Sequence, residues 1–598
     1  MLKSANMTNI KTTWNFSKLY KDIDDKKIEL DIKNIDKLFK AFAKKYEDRK
    51  FIKSSKSLLE ALNDYNILSK NTSSKPLWYL GLQQALNSSN NDIQAKLTKL
   101  SNDYLKSYKH ILFFTLVISK VETKTQVKYL NDKALKKYHY YLKVLFDQGK
   151  HTLSENEEKI LTDKAQVAHT AWEEMNDRYI NQQTVKFKNK DMSLSEAMSI
   201  KADLPRKDRR VLHKAVMEKY KEISFVAEGE LNAVIQNKRI DDELRGFTKP
   251  YEATIMGYEN DLKSIEGLVD IVTKNNHISH DFFKLKARVL NKKEKSDDKN
   301  ITMADLGTSV STAKTGGKKI DFKDACKMVS ESFLEIDKEF SDIFESYLAS
   351  GQIDVYPKLG KRTGAFCSPN TEVPTYVMLN YADKLSDVST LAHEMGHAIH
   401  SDLAKTQGTI YEGYTISVAE VASTFFENVL FDNLLKVASP EEKKDLLINK
   451  VQHNIFTIFA QIAYFQYEKN IHKAIREKGF VSREELASMF ADCRRSYVGD
   501  ALQVVPDDGY AYVYISHFRS FFYVYTYAYG QIIANALYEE YKKDKKFSEK
   551  IKIFLKTGGS MSPEDTFKTI GIDTSRPDFF KKGLEKIEKD LREVEAMF

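Results

Sequence analysis

The sequence predicts a mainly α-helical fold with one small β-sheet, and three observations carry that prediction. Proline and glycine, which interrupt helices, number only 10 and 23 in 598 residues. Apolar residues recur at helical spacing in one segment after another. Ser154–Glu157, Ser439–Glu442 and Ser482–Glu485 each read as a capping box opening such a segment. With 42% hydrophobic and 30% charged residues the chain is globular, and its length suits several domains or one large helical body.

After an irregular entry over 12–31, Ile35, Leu38, Phe39, Phe42 and Tyr46 share one helix face, and Leu58, Leu62 and Tyr65 share another. Thr184, Val185 and Phe187 fit a short hairpin within 183–192, which sets a soft boundary between an N-terminal helical region, 1–194, and a second region, 195–598. Helical spacing resumes through 262–275 and 282–290. Residues 291–319 read as a solvated loop, whose Thr315-Gly316-Gly317-Lys318 lacks the pattern of a phosphate loop. Between 353 and 381, Pro357, Gly360, Gly364, Pro369 and Pro374 punctuate short extended pieces at 364–367 and 376–380, the predicted sheet. A helix follows, with Ser386 or Asp387 as its N-cap, and others cover 416–434, 454–478 and the C-terminal segment spaced by Leu584, Ile587, Leu591 and Val594.

Composition narrows the partners. The net charge of +8 is spread along the chain instead of gathered in a basic stripe, so no nucleic-acid partner is expected. Cys326, Cys367 and Cys493 are too few and scattered for a disulfide framework or a cysteine metal site. The apolar runs at 111–118 and 455–465 are short and interrupted, and residues 1–16 lack the apolar run of a secretory signal. A cytoplasmic protein without a membrane segment is the expectation; whether it is a monomer or a homo-oligomer stays open.

The chemistry centres on Leu391-Ala392-His393-Glu394-Met395-Gly396-His397, an H-E-x-x-H signature. On a helix His393 and His397 lie one turn apart and can bind one Zn²⁺, while Glu394 can reach a metal-activated water as general base. A third ligand must come from elsewhere. Leu403 stands where a continuing H-x-x-G-x-x-H motif needs histidine, so a carboxylate on a second helix is expected. Glu420, among small residues, fits; Glu412, beside Gly413, is its competitor. Glu427, seven residues on, could orient a ligand histidine, and His400 reads as packed or substrate-facing. Oxyanion donors could come from 510–529, rich in tyrosine around His517; alternation from Tyr523 to Tyr529 reads as a strand by period alone.

These residues resemble oligoendopeptidase F, within the thimet-oligopeptidase-like zinc metallopeptidases. The carrying stretches are Gly360–Cys367, Leu379–Tyr381, Asp387–His397, Ala419–Ser423, His517-Phe518 with Phe522–Tyr525, and Phe554–Pro563; Trp14–Tyr20 resembles the family's N-terminal segment. The resemblance implies a large helical body enclosing a deep substrate channel and zinc-dependent endopeptidase action on short oligopeptides. It implies one Zn²⁺ per chain on His393, His397 and Glu420, with Glu394 as base. It also implies carbonyl contacts from His517 and a downstream tyrosine, Tyr523, Tyr527 or Tyr529, in a helix and not a strand. Relatives outside this branch carry glycines just after the histidine, where this chain has Arg519-Ser520-Phe521-Phe522. The extended stretch at Gly364, Ala365 and Phe366 would pair with the substrate backbone.

Overall fold

The computed structural model describes residues 9–296, 298, 300–310, 319–370 and 372–598; Thr315–Lys318 lies outside the described residues. The described chain is mostly α-helix with three small sheets. It divides into two compact units, one of residues 1–155, 316–434 and 537–572, the other of 156–315, 435–536 and 573–598. Both are discontinuous in sequence.

The first unit holds a three-stranded sheet, β1 (Ile353–Asp354), β2 (Phe366–Ser368) and β3 (Tyr376–Met378). Its order is β1-β3-β2, with β1 parallel and β2 antiparallel to β3, which leaves β2 as an edge strand. The N-terminal segment backs this sheet. Trp14 Nε1 donates to Val377 O at 2.8 Å and Tyr376 Oη donates to Asn15 O at 2.6 Å. The rings of Trp14, Phe16 and Trp78 pack on Tyr376 at 5.3–5.8 Å between centroids. Two helices follow the sheet, α1 (Leu385–Ala404) and α2 (Ile416–Val437). Helix α1 starts earlier than either expected cap. Ser386 and Asp387 lie in its first turn, and Asp387 Oδ2 accepts the backbone N–H groups of Lys384, at 3.1 Å, and Ala382, at 2.8 Å.

The second unit is built on a 40-residue helix, Arg206–Arg245, which ends at Gly246 with φ 74°. Its hairpin pairs Thr184–Phe187 with Lys190–Ser193 through Lys188 and Asn189, both at positive φ, as a two-residue turn matching the strand twist requires. Two further helices matter below, α3 (Gln461–Lys478) and α4 (Tyr525–Lys543). The period-two pattern therefore belongs to a turn at Tyr523 and Val524 followed by the first turns of a helix that starts at Tyr525. Its aromatic residues are buried on several sides, and burial all round erases the 3.6-residue signal. The capping boxes at Ser439 and Ser482 are both present. Among the described residues no helix is long and apolar enough to cross a membrane.

Candidate metal centre

Helices α1 and α2 cross at a glycine. A Cβ on Gly396 would lie 2.7 Å from Ser423 Cα and 3.0 Å from the Phe426 ring, so the two backbones meet where no side chain fits between them. Glycine has a low helix propensity, and here the close crossing accounts for its place inside the motif.

That crossing aims α2 at the motif histidines. The His393 and His397 rings sit one turn apart, 4.9 Å between centroids. Glu420 Oε2 lies 3.6 Å from His393 Nε2, and its Oε1 lies 3.8 Å from His397 Nε2. One donor atom from each of the three falls within 4.8 Å of the others. Ligand atoms about 2.0–2.1 Å from a tetrahedral Zn²⁺ sit roughly 3.3 Å apart, so the N, N, O set fits that ion with small adjustments. Two turns along α2, Glu427 Oε2 is 3.3 Å from His393 Nδ1, the position of a carboxylate that orients a ligand imidazole.

Glu394 is 8% exposed, and the backbone N–H of Cys367 on β2 favours its charged form. Burial, opposed mainly by His393, pushes its carboxyl up to about 7. Burial works against a charged His393 as well, yet Glu427, then Glu420 and Glu394, lift it to about 9. Burial holds His397 well below its ordinary range and raises Glu420. One buried carboxyl, Glu394, and two half-buried ones, Glu420 and Glu427, around two imidazoles form a nest whose charge a divalent cation complements.

The remaining expected residues fall into distinct settings. Gly364 has φ 80°, and its carbonyl accepts from Asn380 Nδ2 at 2.7 Å; Ala365 leads from it into β2, where half-buried Phe366 packs on Trp14. His400 is fully buried and stacked 3.7 Å from the Tyr414 ring, and burial takes its imidazole down to about 3. Glu412 lies in the bend before α2, outside the ligand cluster. His517, Tyr523, Tyr527 and Tyr529 belong to the second unit. There the Tyr523 hydroxyl bonds His517 Nδ1, and the Tyr527 ring lies 6.0 Å from His517 and 5.7 Å from Tyr523. Tyr529 is fully buried, and its hydroxyl donates to Thr574 Oγ1 at 3.2 Å.

The profile described as peptidase family M3 matches residues 200–586, and that described as oligopeptidase F matches residues 118–182. The chain belongs to peptidase family M3. An oligoendopeptidase F homolog of Borreliella burgdorferi is 27% identical over 556 residues, covering 90% of this chain and 91% of its own. One from Lactococcus lactis subsp. lactis is 24% identical over 607 residues, covering 100% and 99%. The crystal structure of oligoendopeptidase-F from Enterococcus faecium has the same fold, with a TM-score of 0.70, 20% identity and coverage of 96% and 97%. This M3 chain is thus a metallo-oligopeptidase of the oligoendopeptidase F kind. Sequence reasoning missed two parts of its candidate site, the Gly396 crossing and the Cys367 N–H on Glu394. The glycine between the motif histidines was a signal for the first; the second has no sequence signal.

Proposed function

We propose that the chain is a zinc endopeptidase that hydrolyses short oligopeptides, with His393, His397 and Glu420 holding the ion and Glu394 acting as general base. The observation carrying this reading is the convergence of three donor atoms within 4.8 Å, with the Glu394 carboxyl buried next to them. A zinc ion held there supplies Lewis acidity toward a carbonyl and a water. Glu394 takes the proton from the attacking water and delivers it to the departing amine; the Cys367 N–H favours its carboxylate form. Glu427 keeps His393 oriented through Nδ1. The exposed side of edge strand β2, with Gly364 and Ala365 leading into it, supports pairing with an extended peptide backbone. His517, Tyr523 or Tyr527 donates a hydrogen bond to the carbonyl oxygen as charge develops there; the bonded Tyr523–His517 pair, with one proton between them and one left to donate, supports these two first. Three free cysteines agree with a reducing compartment, the cytoplasm.

The test is Glu394→Gln. It should keep one zinc per chain by elemental analysis while cleavage of end-blocked peptides, followed by mass spectrometry, falls at least 10³-fold. Wild-type cleavage rates in that variant refute the mechanism, and cutting confined to free termini refutes the endopeptidase reading.

A further inference from the structure

Between His517 and Tyr523 the chain makes a turn that its own residues disfavour. Phe521 and Phe522 have φ of 44° and 63°, the left-handed region where a bulky side chain crowds its backbone. Two such residues in succession persist only where the surroundings over-determine them.

Four side chains from outside the turn do so, all in the second unit. Glu230, fully buried on the helix Arg206–Arg245, accepts from Arg519 Nε at 2.9 Å and Nη2 at 2.6 Å. The same guanidinium donates through Nη1 to Ile515 O at 2.8 Å, tying the turn to its own start. His169, on the π-helical turn Gln166–Thr170, donates from Nε2 to Arg519 O at 2.9 Å. Thr254 Oγ1 donates to Phe521 O at 2.9 Å, and Glu468 Oε1 on α3 accepts the Phe522 N–H at 2.8 Å. The ends of the turn carry His517 and Tyr523, whose side chains are bonded to each other.

We propose that Glu230, Thr254 and Glu468 are positioning residues: they hold Phe521 and Phe522 left-handed and so preset the His517–Tyr523 pair. This rests on the reading of those two side chains as carbonyl donors. Loosening the clamp lets the two phenylalanines relax to negative φ, and the Tyr523 hydroxyl swings off His517. Donors aimed at charge that develops during reaction act on the rate, so their misplacement lowers kcat and leaves substrate binding in place.

Thr254→Val tests this, because it removes one hydroxyl and almost no volume. It should lower kcat about 10-fold with KM within 2-fold and zinc content unchanged. In the His517→Ala background the same substitution should cause no further fall. Glycine accepts the left-handed region without strain, so Thr254→Val with Phe521→Gly should recover kcat. An equal fall in both backgrounds, a change confined to KM, or absence of recovery overturns the proposal. Full kcat in His517→Ala alone is a separate result; it removes the carbonyl-donor reading on which the proposal stands.

Discussion

Gly396→Ala is the most direct challenge to the way the candidate metal centre is assembled. The added methyl would sit 2.7 Å from Ser423 Cα and 3.0 Å from a Phe426 ring carbon. Apolar carbons rest about 3.6 Å apart, so α1 and α2 must separate by about 0.9 Å at the crossing. Zinc–ligand distances tolerate about 0.2 Å, and Glu420 is only one turn of α2 from Ser423, so the separation exceeds that tolerance several-fold. The overpacking should cost about 1–3 kcal/mol in stability. The larger effect should be on the ion, with zinc affinity falling roughly 10–100-fold, as when an orienting partner of a ligand is lost. Competition titration against a chromophoric chelator measures the affinity. Thermal melts at fixed zinc measure the same loss independently, because an ion that binds only the folded state stabilises it by RT ln(1 + [Zn]/Kd). Wild-type zinc affinity in a folded Gly396→Ala protein would refute the claim that the close crossing builds the ligand set.

Other outcomes can be checked beside it. Glu427→Gln should weaken zinc about 10-fold while leaving the fold intact, read by the same titration. His400→Phe should keep one zinc per chain and shift stability by less than about 1 kcal/mol, because the imidazole is buried, neutral and stacked on Tyr414. Glu468 tests charge burial. Fully buried, its carboxyl is pushed up to about 8 from an ordinary 4.5, so the folded state holds a proton that the unfolded state releases. Its stabilising share is complete below pH 4.5 and is lost as pH rises to 8, a change on the order of 4 kcal/mol. Urea midpoints of Glu468→Gln should therefore fall less than those of the wild type between pH 5 and pH 8; parallel curves would contradict the assignment.

Features set by local spacing were legible in the sequence. Capping boxes, the proline- and glycine-marked strands and the His393–His397 pair depend on neighbours within a few residues, as does the reading of Glu420 and Glu427 on one helix face. The rest depends on partners far along the chain. Glu230 and Arg519 are 289 residues apart, and no spacing rule joins them. The left-handed Phe521 and Phe522 run against their own propensities and follow from the clamp. The start of α1 moved because Asp387 caps from inside the first turn, reaching back to Lys384 and Ala382. Tyr529 looked equal to Tyr523 in the sequence, and only burial against Thr574 separates them.

The discontinuity of the first unit bears on when a growing chain becomes a peptidase. The three donor residues of the candidate metal centre lie between residues 393 and 420, yet the unit also draws on residues 537–572. In that last segment Gly558 and Gly559 close over the carbonyls of Tyr411 and Gly413, with the Gly559 N–H bonded to Tyr411 O at 2.7 Å. A nascent chain thus carries all three donor residues for more than a hundred residues of synthesis before the piece that completes their unit emerges. Long-range closure of this kind sets in late, and it confines proteolytic competence to chains that extend through residues 537–572.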